Sequence, residues 1–328
     1  MPTFPVSPPV ALHIVTGKGG TGKTTVAAAL GLALAKGAAR VLVVEVEGRG
    51  GLAAAFGVPQ RQGEQLVATI TGGGEVHVLD VDARAALLQY LRLKVPVPAA
   101  AGVLTAIGAV DFATTIAPGI RDVIALGKVY EAARRHLTTR PGEHYDAVVL
   151  DAPPTGRVGR FLSAAAQVAA MAQVGPIRAQ AERIGGWLRA STAIHIVTLL
   201  EELPVEETVE SAADLTGLGW PVTQVVVNQH DPSTLPDEVV GALADPDVVE
   251  ALQAELRGCG LDVTAATAGH LVDELGARAA RDEHRRALLA RLTSTGRPAR
   301  PLRPAAGETD REVLDDLADQ LLTVEAPA

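Results

Sequence analysis

Between Val10 and Gly31 the chain reads VALHIVTGKGGTGKTTVAAALG, in which Gly17, Gly22, Lys23 and Thr24 satisfy the spacing G-x-x-x-x-G-K-[ST]. That spacing serves phosphate chemistry. Successive backbone N–H groups of a glycine-rich turn converge into an anion nest, and a helix starting near Lys23 adds the positive end of its dipole. The expected cradle comprises Gly17, Lys18, Gly19, Gly20, Thr21, Gly22, Lys23, Thr24 and Thr25. Lys23 is expected to reach the β- and γ-phosphates, and the Thr24 hydroxyl to ligate Mg²⁺. Lys18 brings a second ammonium among the phosphates, or extends it to those of a neighbouring subunit. Further on, YDAVVLDAPPT (145–155) is an apolar run closing on Asp151, the form of the acid that holds Mg²⁺, often through a water, opposite a phosphate loop. Asn228 ends another such run; its amide offers a base edge both a donor and an acceptor.

These residues need strands behind them and helices between. Runs at 12–15, 40–46, 76–81, 145–151, 193–199 and 222–227 read as buried strands, separated by helical runs beginning with one that ends near Lys36. Strands alternating with helices predict an α/β fold with a doubly wound, mainly parallel sheet. Glu45, Glu47 and the glycines 48, 50 and 51 fall at the carboxyl end of the second run, where open α/β sheets bind ligands. Residues 83–94 read as a helix, and 95–126 as an apolar stretch broken by Pro96, Pro98, Gly102, Gly108, Pro118 and Gly119. This predicts a helical insertion at about 83–140 within one domain, 10–328, after a disordered Pro-rich lead at 1–9. Helices are also expected at about 159–173, 178–190, 248–257, 270–293 and 309–323, with 231–247 as a Pro- and Asp-rich connection. The acids Glu201, Glu202, Glu206, Glu207 and Glu210 read as a solvated helix face.

Composition narrows the class. Of 328 residues, 48% are hydrophobic and 20% charged, which suits a globular chain with a substantial core. The net charge of −9 argues against a general nucleic-acid or anionic-membrane surface. Cys259 is the single cysteine, too few for a disulfide, an iron–sulfur cluster or a Cys-rich zinc site. The eight histidines are scattered and read as structural or surface residues. The run 26–35 falls short of the about 20 apolar residues that span a bilayer, and the N-terminus lacks a secretory pattern. The expected location is the cytoplasm, without stable membrane insertion.

With these elements placed, the chain resembles the arsenical pump-driving and tail-anchored-protein-targeting ATPases, phosphate-loop enzymes with a deviant Walker A motif. The resemblance rests on GKGGTGKTT (17–25), VLVVEVEGRGGLAAAF (41–56), DAPPTGRVGRFL (151–162) and VVVNQ (225–229), with APGIRDVIALGKV (117–129) as a weaker match. It implies Mg²⁺-dependent ATP hydrolysis in a dimer closed around nucleotide, either a homodimer or a hetero-dimer with a related subunit, coupled to a protein partner or cargo. Lys18 then matches the lysine that reaches a nucleotide across the dimer interface. Glu47 falls where the family has the aspartate that orients the attacking water, Asp151 at the switch II acid, and Asn228 at the adenine-contacting asparagine. Residues 301–304 match the adenine-covering loop faintly. The family's Asp-Pro-Ala-His is here Glu-Gly-Arg-Gly (47–50), and Arg157 replaces a histidine, so that Arg157 or Arg49 is placed to contact the γ-phosphate. The longer Glu47 motivates an alternative, a weakly hydrolysing subunit switched by ATP. A partition-type surface ATPase fits less well, since the acidic C-terminal helix offers neither a DNA-binding nor a lipid-binding surface.

Overall fold

Val, Leu and Ile are the commonest residues of the central strand runs and fall on both faces of the sheet, a pattern that requires cover on each. The computed structural model describes residues 12–47, 50–81, 120–134, 144–171, 176–231, 235–305, 307 and 310–322. The lead at 1–9, Gly48, Arg49, the helix expected at 83–94 and most of the apolar stretch 95–126 lie outside the described residues. Eight strands form one sheet: β1 (Leu12–Gly17), β2 (Arg40–Glu45), β3 (Glu64–Thr69), β4 (Glu75–Asp80), β5 (Ala147–Asp151), β6 (Thr192–Thr198), β7 (Val222–Val227) and β8 (Ala299–Pro301). Their order is β3-β4-β2-β5-β1-β6-β7-β8, parallel throughout except for β3, which pairs antiparallel with β4. The expected α/β class and mainly parallel sheet are what the chain adopts.

Among the described helices, α1 (Lys23–Ala35), α2 (Gly51–Ala55) and α10 (Asp310–Leu322) cover one face. Val15, Val43, Val149, Val197 and Val226 meet them there, with Leu314, Leu317 and Leu321 coming from α10. Lying between the sheet and α10, α1 is apolar all round, as a helix buried on every side must be. A Cβ on Gly31 would come within 2.5 Å of a Val43 methyl, so glycine sets how closely α1 approaches β2. The opposite face is covered by α3 (Ile120–Ala133), α4 (Thr155–Met171), α5 (Pro176–Ser191) and α6 (Glu202–Gly217). Leu12, Ile14, Leu42, Val44, Leu150 and Ile196 pack there with Phe161, Leu188 and Leu215. Of the expected insertion between β4 and β5, α3 is the part described.

Beyond β7 the packing thins. The helices α7 (Asp237–Ala242) and α8 (Val248–Gly258) have no buried residue, and α9 (Ala265–Thr293) buries only Ala268, Asp282, Leu288 and Leu292. Leu288 and Leu292, near the end of α9, pack with Val225 and Val227 of β7. The stretch from 237 to about 280 is thus a helical arm lying outside the main core. Two expectations need amendment: α7 interrupts the supposed connection at 231–247, and α4 starts at Thr155, directly after Pro153 and Pro154. No described helix is long and apolar enough to cross a membrane.

Candidate active site

The chain runs out along β1 and turns at Gly17 because nothing larger fits. A Cβ there would lie 2.1 Å from the Val197 carbonyl oxygen of neighbouring β6. The turn closes at Gly22, which adopts φ 89° and begins α1 without a side-chain cap. A left-handed residue at that junction favours glycine. Within the loop the Thr21 hydroxyl donates to the Lys18 carbonyl (2.9 Å), and Lys23 Nζ donates to the same oxygen (3.1 Å). The Asn228 amide Nδ2 donates to the Thr21 carbonyl (3.0 Å), tying the end of β7 to the loop, and its Oδ1 accepts from Gln229 N–H. Gly17, Lys18, Gly19, Gly20, Thr21, Gly22, Lys23, Thr24 and Thr25 therefore form one continuous turn and first helical turn, with Asn228 against it.

Thr24 and Asp151 meet at the head of this turn, where Thr24 Oγ1 donates to Asp151 Oδ2 (2.7 Å). The pairing of β1 with β5 puts Val15 opposite Asp151 and so delivers the carboxylate to the loop. Asp151 is only 8% exposed. Its carboxyl is pushed up to about 6: burial is the main cause, the Thr24 hydrogen bond opposes it and the Glu45 charge adds to it, while Lys23 and Glu47 act more weakly in opposite directions.

The flanking charged residues already have partners in this state. Lys18 Nζ lies 2.6 Å from Glu207 Oε1, on α6 of the same chain. The predicted solvated face of α6 thus contains one acid that reaches the phosphate loop. Glu47 Oε1 lies 3.2 Å from the Arg157 guanidinium at the start of α4, which brings together two of the residues singled out in the sequence as departures from the expected pattern. Arg49 lies outside the described residues. Sequence analysis placed Glu45 at the ligand-binding end of its strand but assigned it no role in the site. It is 5% exposed and accepts a hydrogen bond from Leu52 N–H (3.1 Å) in α2. The strand-end carboxylate was the sequence signal; what it lacked was the register that sets Glu45 beside Asp151.

Whether the site suits a metal can be judged from its donors. Among the described residues no group of three or more His, Cys, Asp or Glu forms a cage. What stands at the head of α1 is a hydroxyl and a carboxylate, with a second acid nearby. Few hard oxygen donors suit Mg²⁺, which keeps several waters and takes the rest of its shell from phosphate. The residues fit that ion and would not fit zinc.

A parallel sheet whose central strand ends in a glycine-rich turn and a helix, with an acid on the adjoining strand, defines the phosphate-loop nucleotide-binding class. A family model described as "Anion-transporting ATPase" matches residues 11–184. ATPase BagA of Mycobacterium tuberculosis is 41% identical over 315 residues, spanning 95% of this chain and 92% of that protein. A protein named as an ATPase in Mycobacterium bovis matches to the same extent. A protein of Aquifex aeolicus bearing the name of an arsenical pump-driving ATPase is 30% identical over 158 residues, 46% of this chain and 37% of that one. The chain belongs to the anion-transporting ATPase family, and it is an ATPase, as the loop and the resemblance both led one to expect.

Proposed function

We infer that this protein is a Mg²⁺-dependent ATPase that dimerises around ATP and uses hydrolysis to change its shape and its affinity for a protein partner or cargo. The observation that carries the reading is the Thr24–Asp151 hydrogen bond at the head of α1, because it sets a hydroxyl and a carboxylate side by side at the turn where phosphates would lie. Thr24 and Asp151 would hold Mg²⁺, Asp151 through a water, and the ion would neutralise charge between the β- and γ-phosphates. The loop N–H groups from Gly17 to Thr25 cradle the phosphates, Lys23 leaves the Lys18 carbonyl to contact the β- and γ-oxygens, and Lys18 leaves Glu207 to reach a nucleotide, its own or the partner's. Glu47 orients the attacking water once freed from Arg157. Asn228 holds the loop through Thr21 and sits on the adenine side. The chain works as one domain with its helical insertion, in the cytoplasm, as a homodimer or paired with a related subunit.

The Glu47–Arg157 ion pair favours slow turnover by the isolated chain, since the group assigned to water must first change partners. Steady-state ATPase assays on Lys23→Ala and Asp151→Asn test the site. Both are expected to fall at least about a hundredfold, in the range for loss of a preorganised electrostatic contact. Wild-type turnover in both would show that the site lies elsewhere. Single-turnover assays on the purified chain address the rate: rapid hydrolysis without a partner would contradict the slow reading.

A further inference from the structure

Three neighbouring strands of the sheet end in acids. Glu45 of β2 pairs in register with Asp151 of β5 on one side and with Asp80 of β4 on the other. In-register residues of parallel strands project from the same face, and these three continue the line of Val43, Val149 and Val78, so all face the α1 layer. Each is held differently: Asp151 accepts from Thr24, Glu45 from Leu52 N–H, and Asp80 from Gln60 Nε2 (2.5 Å). Glu45 occupies the middle place. A Cβ built on Gly51 would lie 3.3 Å from the Thr24 methyl and 3.8 Å from both Glu45 carboxylate oxygens, so Gly51 sits between the two side chains.

A carboxylate this buried beside a second one is unfavourable unless something offsets it. The hydrogen bond from Leu52 offsets part of the cost, and a divalent cation at Thr24 and Asp151 would offset much more. We propose that Glu45 is a positioning residue for the metal: its charge strengthens cation binding at Thr24 and Asp151, and its bond to Leu52 holds the start of α2, and with it Gly51, against Thr24. This inference rests on the Mg²⁺–nucleotide reading above. It adds a group that touches neither phosphate nor metal and acts through those that do. It also joins the metal site to the start of α2.

The test uses the full chain carrying Glu45→Gln or Glu45→Asp, melted in ADP at increasing Mg²⁺, with the Mg²⁺ concentration for half of the ADP-dependent melting shift as the readout. Glu45→Gln keeps an acceptor for Leu52 N–H and removes the charge. It should need about tenfold more Mg²⁺, the scale seen when a supporting group behind a metal ligand is lost, while its shift in ADP without Mg²⁺ stays the same or grows. Glu45→Asp, which keeps the charge, should stay within about twofold of wild type on the same basis. A Glu45→Gln protein with the wild-type Mg²⁺ requirement overturns the proposal. So does a melting point lowered equally with and without Mg²⁺ at an unchanged requirement, which would make Glu45 a structural brace alone. If Glu45→Asp behaves like Glu45→Gln, charge is not what matters and the proposal fails. A different result, wild-type protein that melts identically in ADP with and without Mg²⁺, would instead remove the underlying Mg²⁺–nucleotide reading.

Discussion

The central strands and the arm beyond β7 are built on opposite terms. Around β1 and β5 the side chains are enclosed on both faces of the sheet, and a single added methyl at Gly17 would run into the backbone of β6. In the arm, α7 and α8 bury nothing and Leu261 at the turn between α8 and α9 is 55% exposed. Precise chemistry needs the first condition, because groups must be held where phosphate oxygens arrive. Sequence change is tolerated under the second. The arm can therefore vary in length and surface with little effect on the sheet that positions Asp151.

Substitutions in the two regions should separate widely. Phe161→Ala, on the face of α4 packed against the sheet, is expected to lower stability by about 3–5 kcal/mol by denaturant titration, the range for deleting a buried aromatic ring. A loss below about 1 kcal/mol would mean that this face repacks freely, and the contrast would collapse.

The next effect depends on pH. His13 of β1 and His195 of β6 stack in the buried sheet with Nδ1 of the first 3.1 Å from Nε2 of the second. Burial lowers His13 to about 4, and burial, then the neighbouring His13, hold His195 well below the usual histidine value. A histidine depressed in the folded state is protonated more readily in the unfolded chain. Its contribution is therefore complete above about pH 6.5 and is lost as pH falls from there toward 4, by up to about 3 kcal/mol for His13. Asp151, raised to about 6, acts in the opposite sense over the same interval, so the test is the difference: His13→Gln should make stability rise less, or fall more, with pH than in wild type. An unchanged slope in His13→Gln would remove the pair as a source of it.

Smaller still is the Lys18–Glu207 pair, whose side chains are 33% and 43% exposed. An exposed pair contributes at most about 1 kcal/mol, so Glu207→Gln should tighten nucleotide binding by up to about fivefold in a fluorescence titration. Weaker binding would mean that Glu207 supports the lysine in the bound state. Leu261→Ser in the arm should change stability by no more than about 0.5 kcal/mol. A large loss there would show that the arm is part of the core.

What could be read from the sequence follows the same division. The loop, its helix and Asp151 were legible because glycines, lysine and threonine at fixed spacing carry their geometry locally. The strand β3 was not foreseen: EQLVAT mixes exposed and buried positions on an edge and gains its identity only by pairing with β4 across the 71–74 turn. Glu207 looked like one of five acids on a wet helix, and its partner is 189 residues away. Glu45 was visible as an acid at the ligand-binding end of its strand, but only register shows that it stands beside Asp151. Asn228 was placed correctly at its strand end, but the bond from its amide to Thr21 depends on two β–α connections meeting, which no local spacing records.

The chain's two tryptophans, Trp187 of α5 and Trp220 just before β7, both lie in the helical layer on the face of the sheet away from α1. Trp220 is buried, with the Arg189 guanidinium over its ring, and Trp187 meets Tyr130 edge-on. Intrinsic emission is therefore an observer stationed behind the wall. Any nucleotide-dependent change in its intensity or wavelength would record movement transmitted to α3 and α5, on the far side of the sheet from α1.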